Sequence, residues 1–130
     1  MNKKFYVPFE TAKMLKAHGY QQTGSDMYYN PNGELFTRTE LEAGYNEEYP
    51  IMITYYYATP AYCEMLDWLD GKGIYVSAFL SIGETDNEDT YKIWWKSFID
   101  VPNHEEQSSG VYSTREEALN NGIIKALNML

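Results

Sequence analysis

Residues 74–82 read IYVSAFLSI and residues 90–99 read TYKIWWKSFI, and these two runs decide the fold class. Both are rich in β-branched and aromatic residues, which is typical of strands. The linker between them, residues 83–89 (GETDNED), is polar and short, so we expect the two strands to be antiparallel. An antiparallel pair among helices favours an α+β domain over a doubly wound sheet.

Three helices are predicted in addition to this strand pair. The first runs over residues 9–18, because Pro8 suits a first turn and Gly19 suits a left-handed helix end. The second follows Thr59 as its cap and Pro60, and it ends near Asp70. The third begins at Ser113 or Thr114, where the sequence STRE resembles a capping box.

The remaining segments are predicted to be a hairpin, one more strand and two loops. Residues 27–29 and 34–36 flank Asn-Pro-Asn-Gly, which is a strong turn signal. Residues 51–57 have strand composition, and residues 111–112 form a short strand. Residues 37–50 and 102–110 lack periodicity and are expected to be loops.

Length and composition indicate one domain over residues 1–130. We predict two layers, an antiparallel or mixed sheet with about three helices packed mainly on one face. The net charge of −9, from 10 Lys plus Arg against 19 Asp plus Glu, makes nucleic-acid binding an unfavourable hypothesis. No apolar run is long enough to span a membrane, and the N-terminal residues lack the apolar centre of a signal peptide. With a single cysteine, these features predict a cytoplasmic protein without a membrane partner.

Alternation along the strands predicts two different sheet faces. The expected core face holds Ile51, Ile53, Tyr55, Tyr57, Ile74, Val76, Ala78, Leu80, Ile82, Tyr91, Ile93, Trp95 and Ile99. The other face mixes rings with hydroxyls and with two lysines, Lys92 and Lys96, whereas an open antiparallel face is normally polar. Its large rings are Tyr56, Tyr75, Phe79, Trp94 and Phe98.

Three interpretations of this second face stay open. The N-terminal helix or the hairpin would cover it, or it would be a docking surface for a second copy or another protein. The third is a stacking platform for single-stranded nucleic acid, which the net charge disfavours. We take the five rings as the candidate protein-binding residues, with an unidentified protein or a homodimer partner as the occupant.

Few residues are suited to nucleophilic or metal chemistry. His18 falls at a predicted helix end, and His104 falls in a polar loop. Cys63 has apolar neighbours on a predicted helix, where we expect it to be buried. Zinc needs clustered ligands of these types, and a catalytic Cys or Ser needs a neighbouring base. We therefore predict no catalytic site, no metal site and no cofactor.

Three stretches carry a resemblance to small proteins of prophages and mobile elements in gut Bacteroidetes. They are residues 7–20 (VPFETAKMLKAHGY), the set Ala58-Thr59-Pro60, Trp68-Leu69 and Ile74-Tyr75-Val76, and residues 112–119 (YSTREEAL). The family has no established activity, so the resemblance implies only an accessory role for a phage or mobile element.

The leading functional hypothesis is a non-enzymatic accessory protein that binds another protein through the aromatic sheet face. One alternative is an acidic DNA mimic that inhibits a nucleic-acid enzyme, which would need carboxylates spaced like phosphates. The other is an enzyme of unrecognised type, which would need a pocket with convergent polar groups.

Overall fold

A computed structural model describes residues 5–44, 54–84, 91–102 and 104–130. The chain divides into two compact units, Met1–Met65 and Leu66–Leu130. The described residues form two three-stranded antiparallel sheets together with helices, so the predicted α+β class is confirmed. The strands that the sequence placed in one sheet lie in two sheets instead. That the whole chain is one domain stays a prediction.

Helix α1 spans Phe9–Ala17, within one residue of the predicted range. Pro8 precedes it in an extended conformation, and Gly19 follows with φ of 85°, the left-handed value that ends many helices. Thr11, Ala12 and Leu15 are buried, so one side of the helix faces the interior of the protein.

The predicted hairpin is also confirmed. Strands β1 (Met27–Tyr29) and β2 (Leu35–Thr37) pair antiparallel around the Asn-Pro-Asn-Gly turn. The Asn30 side-chain oxygen accepts hydrogen bonds from the backbone N–H groups of Asn32 and Glu34 at 3.0 and 2.8 Å. This side-chain turn, together with a positive φ at Gly33, fixes the hairpin register.

Helix α2, Arg38–Gly44, lies where the sequence was expected to form a loop. Thr37 begins the helix, because its hydroxyl oxygen accepts the Glu40 backbone N–H at 3.0 Å. The Glu40 carboxylate in turn accepts the Thr37 backbone N–H at 3.4 Å, which makes a reciprocal cap, and it also accepts the Thr37 hydroxyl at 3.0 Å. Leu41, only 1% exposed, packs with Tyr28 in the core of the first unit, and this burial stabilises a helix with little apolar periodicity.

The strand predicted at residues 51–57 is wrong at residues 54–56, and residues 51–53 lie outside the described residues. Thr54 and Tyr55 are helical, and strand β3 is only Tyr57–Ala58. The Lys16 ammonium donates to the backbone oxygens of Thr54 and Tyr56, which joins this segment to helix α1. Strand β3 pairs with β1, which gives the sheet order β2-β1-β3.

Helix α3 spans Tyr62–Asp70, so it ends where the sequence predicts, and Met65 and Leu69 are buried. Thr59 is not its cap, since the helix starts at Tyr62 and Ala61 is the residue that precedes it. The Thr59 hydroxyl donates to the Val7 backbone oxygen at 2.9 Å. The expected burial of Cys63 is wrong, because the residue is exposed. Residues two apart do not share a helix face, so the face that buries Met65 turns Cys63 outward.

The second sheet has the order β4-β5-β6. Strands β4 (Tyr75–Glu84) and β5 (Tyr91–Asp100) are the predicted antiparallel pair, here ten residues each. Strand β6 spans Gln107–Tyr112, so the loop predicted at residues 102–110 ends earlier than expected. Its polar sequence QSSG has loop composition, yet Gln107 and Ser108 pair with Ile99 and Phe98.

Helix α4, Arg115–Leu127, packs against all three strands of this sheet. Its apolar side is buried, and Gly122 comes so near the sheet that a methyl group there would lie 2.8 Å from Val76 Cγ1. The helix covers part of the predicted core face, and Val76, Ser97 and Ile99 are buried there. In the described part of the chain, no helix has the length and apolar character that a membrane crossing requires.

Helix α4 leaves part of the predicted core face uncovered. Leu80, Ile82 and Ile93 are 47%, 65% and 60% exposed, so their assignment to the core is wrong. A helix of 13 residues is about 20 Å long, whereas a strand of ten residues reaches about 33 Å. The strand pair β4–β5 is therefore longer than the helix that packs on it.

Candidate protein-binding surface

The sheet of the second unit has a second face, opposite to α4. Antiparallel register places Tyr75, Ser77, Phe79 and Ser81 of β4 beside Asp100, Phe98, Lys96 and Trp94 of β5. Side chains of directly paired residues lie on the same face, and Val76 and Ser97, which meet α4, have the opposite parity. We call the surface formed by Tyr75, Phe79, Trp94, Lys96 and Phe98 the ring face.

Two phenylalanines form the centre of the ring face. Phe98 is directly opposite Ser77, and Phe79 is opposite Lys96, so the two phenylalanines are diagonal neighbours. Their rings stack with centroids 4.7 Å apart and planes 11° apart. Mutual stacking leaves each ring half-buried and holds both in a defined orientation.

Trp94 lies on the backbone of Gly83, near the end of the strand pair. A methyl group on Gly83 would lie 2.0 Å from Cη2 of the indole. The Lys96 ammonium is 6.0 Å from the centre of the indole, the outer limit of a cation–π contact. The indole Nε1 is buried and has no acceptor among the described residues. Trp94 is therefore a flat, half-buried ring with an unused donor.

The ring face is partly open to solvent. Tyr75 is 47% exposed at one end, and Val111 of β6, which pairs with Lys96, is 59% exposed. Phe79, Trp94 and Phe98 are half-buried. The rings therefore shield one another without being fully buried.

Four of the five predicted rings lie on this face, and Tyr56 does not. Tyr56 is 4% exposed in the core of the first unit, where it clusters with Tyr28, Leu41 and Ala58. Its ring is 6.3 Å from that of Phe36. The prediction failed because residues 54–56 do not continue a strand, so the assumed alternation does not apply to them.

Comparison with family models, curated proteins and solved structures finds no match to this chain. The resemblance to mobile-element proteins consequently stays a prediction, and the functional argument depends on the chain's own surfaces.

The residues considered for chemistry lie outside strands β4 and β5, which carry the ring face. His104 and Cys63 are exposed, and His18 is the half-buried residue that ends α1. Among the described residues, no three His, Cys, Asp or Glu side chains gather as a metal site would require.

Three described residues with clear pKa shifts, Lys16, Tyr20 and Tyr29, belong to the first unit. Desolvation lowers the pKa of Lys16, while burial raises the pKa values of Tyr20 and Tyr29. Nearby Glu64 contributes further to the raised pKa of Tyr20. Lys16 bonds backbone oxygens, and the Tyr29 hydroxyl donates to the Val7 oxygen at 3.0 Å, so both groups support the fold.

One exposed apolar feature escaped sequence reasoning. Ile82 and Ile93 face each other across β4 and β5, beyond the part of the sheet that α4 covers. Strand alternation alone assigns both to the core. Comparing the length of the last helix with the length of the strands is the sequence signal that would have indicated their exposure.

Proposed function

We propose that this protein is a non-enzymatic binding protein that docks another protein on the ring face. The observation that carries the proposal is the row of half-exposed rings on the side of the sheet opposite to α4. Contiguous exposed apolar surface is uncommon on isolated proteins and often marks an interface. Aromatic residues are also the side chains most enriched in the central part of interfaces.

The arrangement of the rings favours a protein partner over a nucleic acid. The stacked pair Phe79–Phe98 offers an apolar centre, and its fixed geometry lowers the entropy lost on binding. Among the five residues of the ring face, Lys96 is the one cation, whereas binding along a phosphate backbone requires several cations. The net charge of −9 adds repulsion toward any polyanion.

An accessory role for a phage or mobile element and a cytoplasmic location are parts of the same proposal. The sequence resemblance supports the first, and the single cysteine supports the second. The DNA-mimic and enzyme hypotheses remain alternatives, since no arrangement of the described residues specifically favours them.

Site-specific photo-cross-linking in the native host tests the proposal. A photoreactive phenylalanine analogue replaces Tyr75 on the ring face in one variant and Tyr55, 64% exposed in the first unit, in the control. We expect a defined protein adduct from position 75 that is absent from position 55. Identical adducts from both positions, or none from position 75, would contradict docking on the ring face.

A further inference from the structure

The chain contains two Asn-Gly pairs in different structural settings. Asn32-Gly33 lies in the turn between β1 and β2, whereas Asn121-Gly122 lies inside helix α4. An asparagine deamidates when the backbone nitrogen of the next residue attacks its side-chain amide carbon. Glycine permits this attack best, because it has no side chain to restrict the backbone. The two pairs share the same local chemistry, so the fold decides which of them reacts.

The pair in the hairpin turn is open to solvent. Asn32 is exposed, and the φ of 84° at Gly33 is a value of turns and not of helices or strands. The Gly33 N–H donates to the Asn30 backbone oxygen at 3.0 Å, and this bond must open before the nitrogen can react. Turns at the surface open locally at a small free-energy cost, so the bond slows the reaction without preventing it.

The pair in helix α4 is held away from the reactive geometry. The Asn121 side-chain amide donates to the Glu117 backbone oxygen at 2.8 Å. Gly122 is buried, and a methyl group on it would lie 2.8 Å from Val76 Cγ1, so the helix packs closely on the sheet at this point. To reach the Asn121 amide carbon, the Gly122 nitrogen must leave its helical position, which requires local opening of α4.

We propose that Asn32 is a site of spontaneous covalent modification, at which water replaces the side-chain amide with a carboxylate. The Gly33 backbone nitrogen gives up its proton to solvent and bonds to Asn32 Cγ, and the Cγ–Nδ2 bond breaks to release ammonia. Water then opens the cyclic imide. Cleavage at Cγ leaves aspartate, and cleavage at the main-chain carbonyl carbon leaves isoaspartate, with no oxidation or reduction in either case.

Both products change the hairpin turn. Each adds a negative charge to a chain whose net charge is −9. Isoaspartate also lengthens the backbone by a methylene group between Asn30 and Gly33, where the Asn30 side-chain oxygen accepts the Glu34 N–H at 2.8 Å. The Phe9 ring lies against Gly33, since a methyl group there would lie 3.1 Å from Phe9 Cδ2. We therefore expect isoaspartate to loosen the contact between the turn and helix α1.

Peptide mapping of the folded full chain, after incubation at physiological temperature and mildly alkaline pH, tests the proposal. Trypsin cleaves after lysine and arginine, so it releases the two Asn-Gly pairs in separate peptides, residues 17–38 and 116–125. Mass spectrometry then measures the exchange of amide for carboxylate in each peptide. We expect Asn32 to deamidate at least about tenfold faster than Asn121, because reaction at Asn121 requires opening of the packed helix.

The chain unfolded in guanidinium chloride is the reference, and there the two pairs should react at similar rates. Asn32→Gln is the matched control, because the longer side chain closes its ring far more slowly, and its hairpin peptide should stay unmodified. Equal rates at Asn32 and Asn121 in the folded chain would overturn the proposal. So would an intact Asn32 over the time in which the unfolded chain converts. This modification is independent of docking on the ring face, and either proposal can fail without the other.

Discussion

The indole of Trp94 occupies the space above Gly83, since a methyl group on that glycine would lie 2.0 Å from the indole Cη2. Glycine in a strand interior weakens the strand, and it is tolerated where another group approaches the backbone closely. Here it lets a large ring lie flat on the sheet. The position of Trp94 on the ring face therefore depends on a missing side chain in the neighbouring strand.

We predict that Gly83→Ala displaces Trp94 without unfolding the second unit. The indole N–H resonance of Trp94 should move and exchange faster with solvent, because Nε1 loses its burial. Ser81→Ala is the control, since Ser81 is directly opposite Trp94 and its replacement adds no atom. An unchanged indole resonance in Gly83→Ala would show that the ring does not lie over this glycine.

Gly122→Ala should destabilise the protein. The added methyl would lie 2.8 Å from Val76 Cγ1 and 3.1 Å from Ser97 Cβ, so helix α4 must move away from the sheet. Overpacking costs about 1–3 kcal/mol, which exceeds the gain of about 1 kcal/mol in helix propensity. Gly44→Ala, in α2 with nothing within 4 Å, is the control and should be neutral or stabilising. Urea unfolding measures both, and equal free energies of unfolding would refute the close approach.

Thr114→Ala should lower the free energy of unfolding by about 1 kcal/mol. The Thr114 hydroxyl oxygen accepts the Glu117 backbone N–H at 3.1 Å, which caps helix α4. Ser113→Ala is the comparison, because the Ser113 hydroxyl donates to the exposed Glu117 carboxylate at 3.3 Å and not to a backbone group that the structure describes. Thermal unfolding that ranks Ser113→Ala as the more damaging change would place the cap at Ser113 instead.

We expect ionisation of the Tyr29 phenol to lower the free energy of unfolding at alkaline pH. Burial raises the pKa of its phenol above 10.0, so the neutral form stabilises the fold fully below pH 10. That contribution falls as the pH rises from 10.0 through the folded-state pKa, because only the unfolded chain ionises freely. In Tyr29→Phe, the hydrogen bond to Val7 is lost at a cost of about 1 kcal/mol, and the alkaline decline should be shallower.

Deprotonation of Lys16 changes the free energy of unfolding in the opposite direction over the same pH range. Desolvation lowers its pKa below 10.5, so its cost to the fold disappears as the pH rises toward that value. Both proteins contain Lys16, and the difference in unfolding free energy between them isolates Tyr29. Parallel pH profiles above pH 10 would contradict the burial of the phenol.

Local signals in the sequence predicted the elements whose residues interact with close neighbours. Gly19 ends α1, and the Asn30 side chain builds the hairpin turn, as their residue types indicate. The cap of α4 lies at Thr114 within the predicted segment. The reciprocal cap from Thr37 to Glu40 has the same sequence signature and would have identified α2.

Long-range contacts explain the errors. Lys16 donates hydrogen bonds to the carbonyls of residues 54 and 56, which are about 40 residues away in the sequence. No pattern within residues 51–57 predicts these bonds. Tyr56 is consequently not part of the candidate binding surface. The other four rings were found because β4 and β5 are neighbours in the chain, and alternation holds along both.

Docking on the ring face is tested most directly by a binding measurement with the partner that cross-linking recovers. The affinity of this partner is measured for the variants Tyr75→Ala and Tyr55→Ala side by side. Both tyrosines are exposed, at 47% and 64%, so neither truncation should unfold the chain. We expect Tyr75→Ala to bind at least about tenfold more weakly than wild type and Tyr55→Ala to bind equally well. Equal affinity of the two variants would contradict the ring face as the binding surface.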